Sequence, residues 1–284
     1  GSGDWVPVNT TSTKELTCSI YLYTDAIILS KVASLLGKTL DSQHYSLLAN
    51  TIKNAINNKY FNSKNSIYAN GTMTELAMPL QWGIVPENKR NSVASQLALL
   101  VRAKGYHLDV GILGAKAVLN ALSENGYADD AYRLAIQDTY PSLGYWIKNG
   151  ATTLQENWKL NQVRDASDNH IMFGELNAWM YKGLGGIFPD EKDPGFHHII
   201  LRPNFINSLH FFRASHHSIY GEIISKWYWK GRYVIYEANI PSNSYATFYL
   251  PICFKRSKKI DLPSGKYKII LNMKKKNVFR ITEL

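Results

Sequence analysis

Apolar residues recur at helical spacing through the first two-thirds of the chain. Over residues 14–36, a set of apolar positions at helical spacing predicts a helix that Gly37 ends: Leu16, Ile20, Tyr23, Ile27, Val32 and Leu35. The same periodicity predicts helices over residues 43–61, 87–104, 115–122, 129–138 and 175–184. The predicted connecting loops are residues 71–75, 105–109, 150–156 and 167–170, and each carries polar or ionisable residues. We therefore expect the helices to form a scaffold and the loops to hold any site.

A different pattern begins after the segment Pro189–Pro194, which is typical of a linker. Runs rich in β-branched and aromatic residues then predict strands over residues 199–201, 209–215, 218–229, 232–240, 246–250 and 265–271. Several short strands separated by turns are typical of an antiparallel β-sandwich. The sequence therefore predicts a multidomain protein, with an α-helical domain over residues 1–193 and a β-sandwich over residues 194–284.

The positive charge of the chain is concentrated in the predicted sandwich. The net charge is +10, and from Phe196 onward 15 Lys and Arg stand against 4 Asp and Glu, which gives that part +11. One interpretation is adhesion to an anionic polymer or surface. We favour solvated strand faces with edge lysines, including the clusters Lys255–Lys259 and Lys274–Lys276. We therefore predict no nucleic-acid partner, and no membrane insertion because no run of eighteen apolar residues occurs.

The sequence shows none of the common motifs for metals, nucleotides or nucleophilic catalysis. Cys18 and Cys253 are the only two cysteines and lie far apart. No paired-His zinc spacing, phosphate-binding loop or G-x-S-x-G motif is present. We predict that the protein uses no cofactor and no metal ion.

One carboxylate stands out by its neighbours. Glu156 lies between Trp146 and Trp158, and loops elsewhere contain His107 and His170. Sugar sites often combine aromatic faces with carboxylates, since the rings pack on C–H surfaces and the carboxylates bind hydroxyls or activate water. A buried tryptophan core and locally bonded histidines remain the alternative explanation.

Several segments in register resemble glycoside hydrolase family 78, the bacterial α-L-rhamnosidases. They are Gly3-Asp4-Trp5-Val6-Pro7, Thr74-Glu75-Leu76-Ala77-Met78-Pro79-Leu80, His107-Leu108-Asp109-Val110-Gly111-Ile112-Leu113-Gly114, Pro141-Ser142-Leu143-Gly144-Tyr145 followed by Gly150-Ala151-Thr152-Thr153, Glu156 with Trp158, and Asn169-His170-Ile171-Met172-Phe173-Gly174. The resemblance extends into the predicted sandwich at Ser218-Ile219-Tyr220-Gly221.

The resemblance implies part of an (α/α)6 toroid followed by the sandwich, and inverting hydrolysis of terminal α-L-rhamnosides. Glu156 matches the general base of the family. The other residues that the resemblance assigns to substrate binding are Asp4, Trp5, His107, Trp158 and His170. The implied partner is a rhamnose-containing glycan or glycoside, and the implied location is periplasmic or extracellular.

Departures from the family pattern set further expectations. Gln155 stands where many members have Trp, and Asp168 stands where many have His, which affects sugar recognition. The family's general acid lies N-terminal to the Gly-Asp-Trp segment, so we expect it and the first helices to be missing, with apolar helix faces left for that N-terminal part. Glu75, Asp109 and Asp4 could replace the acid, or could cap helices and bond loops. The alternative function is a non-catalytic, sugar-binding remnant.

Overall fold

The computed structural model describes residues 3–160, 166–251, 253–254 and 259–284. The chain forms two compact units, Gly1–Glu175 and Leu176–Leu284. The first is mainly helical and the second consists mainly of β-sheets, which confirms the predicted order. The division lies N-terminal to the boundary at 193/194 expected from the Pro-rich segment. Residues 255–258 of the predicted lysine cluster lie outside the described residues.

Eight α-helices occur in the described residues, with bounds close to most of those predicted. They are α1 (Lys14–Leu35), α2 (Thr39–Tyr60), α3 (Met73–Gln81), α4 (Arg90–Ala103), α5 (Ile112–Glu124), α6 (Ala128–Ala135), α7 (Leu143–Lys148) and α8 (Glu175–Trp179). Short 3-10 turns precede α4 at Glu87–Lys89 and α8 at Ile171–Phe173, and a π-helical turn covers Met180–Leu184. A two-residue hairpin, β1 (Phe61–Asn62) and β2 (Ile67–Tyr68), follows α2.

Helix α3 corrects the expectation that Gly71–Glu75 is a loop. Thr72 accepts a hydrogen bond from the Glu75 N–H, and the Glu75 carboxylate accepts one from the Thr72 N–H, so the two residues form a capping box. Eight of the nine residues of α3 are buried. The helix packs on α4 and α5 and forms the core of the first unit.

Helices α1 and α2 pack against each other yet leave one apolar face uncovered. Nine large apolar side chains of this hairpin are exposed: Leu22, Ile28, Leu29, Val32, Leu35, Leu36, Leu40, Leu47 and Leu48. Helix α1 is also long and apolar enough to cross a membrane by length and composition alone, a test that helices packed within a domain pass too. We call this surface the α1–α2 apolar face.

The second unit contains two sheets. Its strands are β3 (Ile187–Pro189), β4 (His198–Leu201), β5 (Phe211–Ser218), β6 (Gly221–Lys230), β7 (Tyr233–Ile240), β8 (Tyr245–Tyr249), β9 (Lys259–Leu262), β10 (Gly265–Asn272) and β11 (Asn277–Glu283). One sheet has the order β11-β10-β7-β6-β5 and is antiparallel throughout. The other has the order β3-β4-β8-β9, in which the β4–β8 pair is parallel and the other two pairs are antiparallel. The predicted antiparallel β-sheets are thus confirmed, with this one parallel pair.

The two sheets share a core of aromatic residues. Tyr236 of β7 stacks on Phe248 of β8 with ring centroids 4.6 Å apart, and both side chains are fully buried. Trp227 of β6 is also buried, and its indole N–H donates to the Leu184 carbonyl at 2.9 Å. Because side chains alternate along a strand, this arrangement fixes which face of the five-stranded sheet points away from the core.

Candidate active site

Two loop segments lie side by side and hold Glu156. The Glu156 N–H donates to the Ser167 carbonyl at 3.0 Å, and the His170 N–H donates to the Leu154 carbonyl at 2.8 Å. The amide of Gln155 donates to the Asp168 carbonyl at 3.1 Å, which adds a third connection. Residues 154–156 and 167–170 are thereby fixed relative to each other, with Glu156 and His170 on the same pair of segments.

Both oxygens of the Glu156 carboxylate accept hydrogen bonds. The Ser167 backbone N–H donates to Oε2 at 2.9 Å, and the Trp5 indole N–H donates to Oε1 at 3.2 Å. These two bonds lower the pKa of Glu156, and the bond from Ser167 has the larger effect. The electrostatic effect of His170 lowers the pKa further by a smaller amount. The side chain remains accessible to solvent. Glu156 is therefore an ionised, water-accessible carboxylate at neutral pH.

Asp4 is a helix-capping residue that positions Trp5. Its carboxylate accepts hydrogen bonds from the N–H groups of Gly111, Leu113 and Gly114, at 2.9, 2.8 and 3.1 Å, and from the Thr74 hydroxyl. A carboxylate at the N-terminus of α5 accepts hydrogen bonds from N–H groups that have no partner within the helix. Its negative charge also interacts favourably with the positive end of the helix dipole. Asp4 is buried, so its geometry supports the capping role rather than the predicted contact with sugar.

Trp5 follows directly and is half exposed, with 50% of its surface accessible. The Ile112 N–H donates to the Trp5 carbonyl at 3.0 Å, which ties the backbone of Trp5 to the start of α5. Its indole reaches Glu156, 151 positions away in sequence. An exposed ring beside an ionised carboxylate is the combination expected at a sugar site.

Trp158 is a core residue that anchors the Glu156 loop. It is 1% exposed and its indole N–H donates to the Val110 carbonyl at 2.8 Å. Its ring stacks on that of Trp146 with centroids 5.2 Å apart, and it contacts the Phe173 ring with centroids 4.4 Å apart. This cluster lies two residues beyond Glu156, so Trp158 supports the loop, and its predicted contact with substrate stays a prediction.

The two predicted histidines differ in their bonding. His170 Nδ1 accepts from the Met172 N–H at 3.0 Å, so the proton of the neutral ring resides on Nε2. The ring nitrogens of His107 bond to the Lys104 carbonyl at 2.9 Å and the Thr139 hydroxyl at 2.8 Å. Of the two, only His170 lies on the same pair of loop segments as Glu156. Both ring nitrogens of His107 are hydrogen-bonded to Lys104 and Thr139 instead.

The other two loop carboxylates are committed to backbone groups. Glu75 is fully buried and accepts from the N–H groups of Thr13, Asn70 and Thr72. Asp109 is buried and accepts from the N–H groups of Asn9 and Thr10. Both match the capping and loop-bonding roles expected as the alternative to catalysis. In the described ranges, no group of three or more His, Cys, Asp and Glu side chains is arranged to hold a metal ion.

Sequence reasoning misses the contribution of Ser167. The donor to Glu156 is its backbone N–H, so the identity of the side chain gives no signal. The sequence offers helix capping as a role for Asp4 but not the helix that it caps, because the backbone N–H groups bound by its carboxylate lie more than 100 residues away. The motif that contains Gly111 and Gly114 is nevertheless visible in the sequence, and these glycines leave room for the Asp4 segment and Thr74.

Comparison with known proteins identifies the family. The model of the bacterial alpha-L-rhamnosidase 6 hairpin glycosidase domain matches residues 1–184, and that of the bacterial alpha-L-rhamnosidase C-terminal domain matches residues 186–273. An alpha-L-rhamnosidase of Streptomyces avermitilis is 30% identical over 258 residues, which are 88% of this chain and 25% of that protein. One of Formosa agariphila is 29% identical over 262 residues, 88% of this chain and 28% of that protein.

Solved structures agree with this assignment. That of Streptomyces avermitilis alpha-L-rhamnosidase complexed with L-rhamnose has a TM-score of 0.85 and 28% identity, and the match covers 95% of this chain and 28% of that one. The alpha-L-rhamnosidase from Dictyoglumus thermophilum has a TM-score of 0.84 and 34% identity over 94% of this chain and 33% of that one. The chain spans a quarter to a third of the length of these relatives, and it belongs to the bacterial α-L-rhamnosidase family of six-hairpin glycosidases.

Proposed function

We propose that this protein is a glycoside hydrolase that releases terminal α-L-rhamnose from glycans or glycosides. The support is its membership of the family, together with relatives that are named alpha-L-rhamnosidases, one of them solved with L-rhamnose bound. The observation that carries the proposal is the accessible carboxylate of Glu156 beside the exposed indole of Trp5.

The reaction we propose is a single displacement with inversion, in which Glu156 is the general base. A general acid must be protonated at the working pH and therefore needs a raised pKa, whereas a base must be ionised. The hydrogen bonds from Ser167 and Trp5 lower the pKa of Glu156, which suits the base and not the acid. Glu156 takes a proton from a water molecule as that water attacks the anomeric carbon, and the leaving oxygen accepts a proton from the acid.

The general acid is proposed to be a carboxyl group other than those of Asp4, Glu75 and Asp109. In an inverting enzyme the acid and the base stand roughly 6.5 to 9.5 Å apart. The three loop carboxylates are buried, and their oxygens accept hydrogen bonds from backbone N–H groups, so they are not placed to reach the leaving oxygen of a bound glycoside. Trp5 and His170 would hold the sugar ring and its hydroxyls next to Glu156.

The test compares the purified protein with its Glu156→Gln variant on p-nitrophenyl α-L-rhamnoside. Glutamine keeps the size of the side chain but cannot take a proton, so we expect turnover to vanish and the wild-type sugar product to have inverted configuration. The nitrophenol leaving group needs little protonation, so the assay reports the base even without the acid. Glu124→Gln, at an exposed position at the end of α5, is the matched control.

The results separate this function from a second candidate. The carboxylates of Asp4, Glu75 and Asp109 are occupied by hydrogen bonds from backbone N–H groups. This supports a second candidate function, a sugar-binding protein that does not hydrolyse its ligand. Binding of L-rhamnose without any turnover would support that candidate. Turnover that survives Glu156→Gln would contradict the assignment of the base, and retained configuration in the product would contradict inversion.

The α1–α2 apolar face is proposed to pack against further helical hairpins of the same six-hairpin domain. The family model is named for six hairpins, and the relatives are three to four times longer than this chain. Exposed apolar surface of this extent marks an interaction site. Hydrogen exchange of α1 and α2 should slow when the unmatched part of the Streptomyces avermitilis enzyme is co-expressed with this chain, and protection by lipid vesicles instead would contradict the assignment.

A further inference from the structure

The outer face of the five-stranded sheet carries an ordered row of charges. Strand pairing places Lys268 opposite Glu237, Glu237 opposite Lys226, and Lys226 opposite Arg213. These residues alternate with buried neighbours and therefore point away from the core. Lys226 Nζ lies 2.8 Å from the Glu237 carboxylate and Lys268 Nζ lies 4.0 Å from it. The row holds three cations and a single anion.

The next row on the same face is apolar and aromatic. Arg280 of β11 pairs with Ile270, which pairs with Ile235, and the row continues through Tyr228 to Phe211 on β5. Lys226 Nζ lies 5.4 Å from the centroid of the Tyr228 ring. The rings of Tyr228 and Phe211 beside the cationic row offer both packing for a sugar face and attraction for a negative group.

The whole face has a net positive charge. Its cations are Arg213, Lys226, Lys230, Lys266, Lys268 and Arg280, against the carboxylates Glu222 and Glu237. Both carboxylates already pair with cations, Glu222 with Arg213 at 3.5 Å and Glu237 with Lys226. Within the described ranges, no carboxylate lies within ion-pair distance of Lys230, Lys266 or Arg280.

A polar pocket opens at one end of this face. It has a volume of about 460 Å³, and its lining includes Tyr220, Glu222, Asn239, Ser242, Ser264 and Lys266. Lys266 and Asn239 are paired across β10 and β7, so the pocket continues into the charged rows. The lining combines one aromatic ring with hydroxyl, amide, carboxylate and ammonium groups.

We propose that this face is a second carbohydrate-binding surface, separate from Glu156, that binds an acidic oligosaccharide. The carboxylate or sulfate groups of such a chain would pair with Lys266, Arg280 and Lys230. Its hydroxyls would donate to Glu222 and Asn239 in the pocket and its rings would pack on Tyr228 and Tyr220.

The chemistry of the face favours an acidic glycan over a nucleic acid. Glu222 and Glu237 repel phosphates and glycan carboxylates alike, so the distinction between the two ligands rests on their neutral polar groups. The same carboxylates can accept hydrogen bonds from sugar hydroxyls. A nucleic acid backbone has fewer hydroxyl groups per residue than a glycan, so it makes fewer of these bonds. Binding to either polyanion would weaken with salt, so salt dependence alone does not distinguish them.

The test measures binding of the whole protein to a decameric oligogalacturonide by calorimetry, with the fully methyl-esterified decamer as the uncharged control. We expect the acidic form alone to bind at low salt. Lys266→Ser combined with Arg280→Ser should weaken binding by about fivefold for each cation removed, the scale of one surface ion pair. Lys274→Ser combined with Lys275→Ser removes the same charge from the β10–β11 turn, and it should leave the affinity unchanged.

Other outcomes overturn the proposal. Equal loss in both double variants would show attraction by net charge and no defined surface. Tighter binding of a single-stranded oligonucleotide of the same length would identify a nucleic-acid surface instead. Glu156→Gln should bind the decamer like the wild type, so a failure of the rhamnosidase proposal leaves this result unaffected.

Discussion

The α1–α2 hairpin and the two-sheet unit differ in how far they cover their apolar residues. Only five of the 22 residues of α1 are buried, although apolar residues recur along its whole length. In the sheets, Trp227, Tyr236 and Phe248 are all fully buried between two layers. The contrast shows that helix formation needs only the local pattern, whereas burial needs a second layer, which the sheets supply to each other and the hairpin lacks on one face.

The strongest test of this contrast is removal of a ring from the sheet core. Phe248→Ala should lower the free energy of unfolding by about 3–5 kcal/mol, because it removes apolar contacts and leaves a cavity. The matched control is Phe279→Ala on the edge strand β11, where the ring is 61% exposed and little should change. Urea unfolding followed by near-ultraviolet circular dichroism measures both, and equal losses would show that the sheet core is not closed.

Asp4→Asn tests whether the part of the helical unit around α3 and α5 is as well ordered as the sheets. Asparagine has one acceptor oxygen where Asp4 uses two to bind three N–H groups and a hydroxyl, so we expect a loss of about 2 kcal/mol. The Trp5 fluorescence should also change as its indole moves from Glu156. Asp25→Asn, at an exposed position of α1, is the control, and an unchanged melting temperature for Asp4→Asn would contradict the capping role.

The sheet unit should also show a dependence on pH that the apolar hairpin face does not have. The His197 side chain lowers the pKa of Asp193, and the Lys192 N–H followed by His198 lowers that of Asp190. A lowered pKa in the folded state adds stability above the unfolded value of about 3.9, and that stability is lost as the pH falls through the folded value. The free energy of unfolding of the double variant Asp190→Asn with Asp193→Asn should be measured between neutral pH and pH 3. It should fall less with decreasing pH than that of the wild type.

The smallest effect on stability is expected at the α1–α2 apolar face. Leu35 and Leu40 are 87% and 81% exposed, so Leu35→Gln with Leu40→Gln should change the free energy of unfolding by less than about 0.5 kcal/mol. The same variant should reduce self-association in light scattering, since it removes exposed apolar area. Marked destabilisation would show that these side chains are covered in solution.

The sequence predicts most helices because their apolar spacing is regular, and it fails where local signals conflict. Residues 71–75 contain Gly, two Thr and Glu, which are typical of a loop, yet Thr72 and Glu75 are the two ends of the capping box of α3. Strand β11 is missed because its side chains are largely exposed and its residues do not alternate in polarity. An edge strand is defined by its neighbour β10, a partner that periodicity cannot show.

The candidate site shows the same limit. Glu156 and Trp5 can be singled out from residue type and motif, but the choice between Trp158 as a sugar platform and as a core ring depends on burial, which only the fold decides. The family resemblance assigns Asp4 to substrate binding, with helix capping as the alternative role. Its partners Gly111, Leu113 and Gly114 come from a distant helix, so its capping role requires the tertiary structure.

The backbone of Trp5 can lie against the start of α5 only because residue 111 is a glycine and has no Cβ atom. A methyl group added at Gly111 would stand 2.0 Å from the Trp5 carbonyl oxygen, closer than any contact allows. Gly111→Ala would therefore push the backbone of Trp5 away from α5 and take the indole from Glu156, although residue 111 has no group that could touch a sugar. A search for functional positions by chemical reactivity would overlook it, whereas engineering of this site should treat Gly111 as unchangeable.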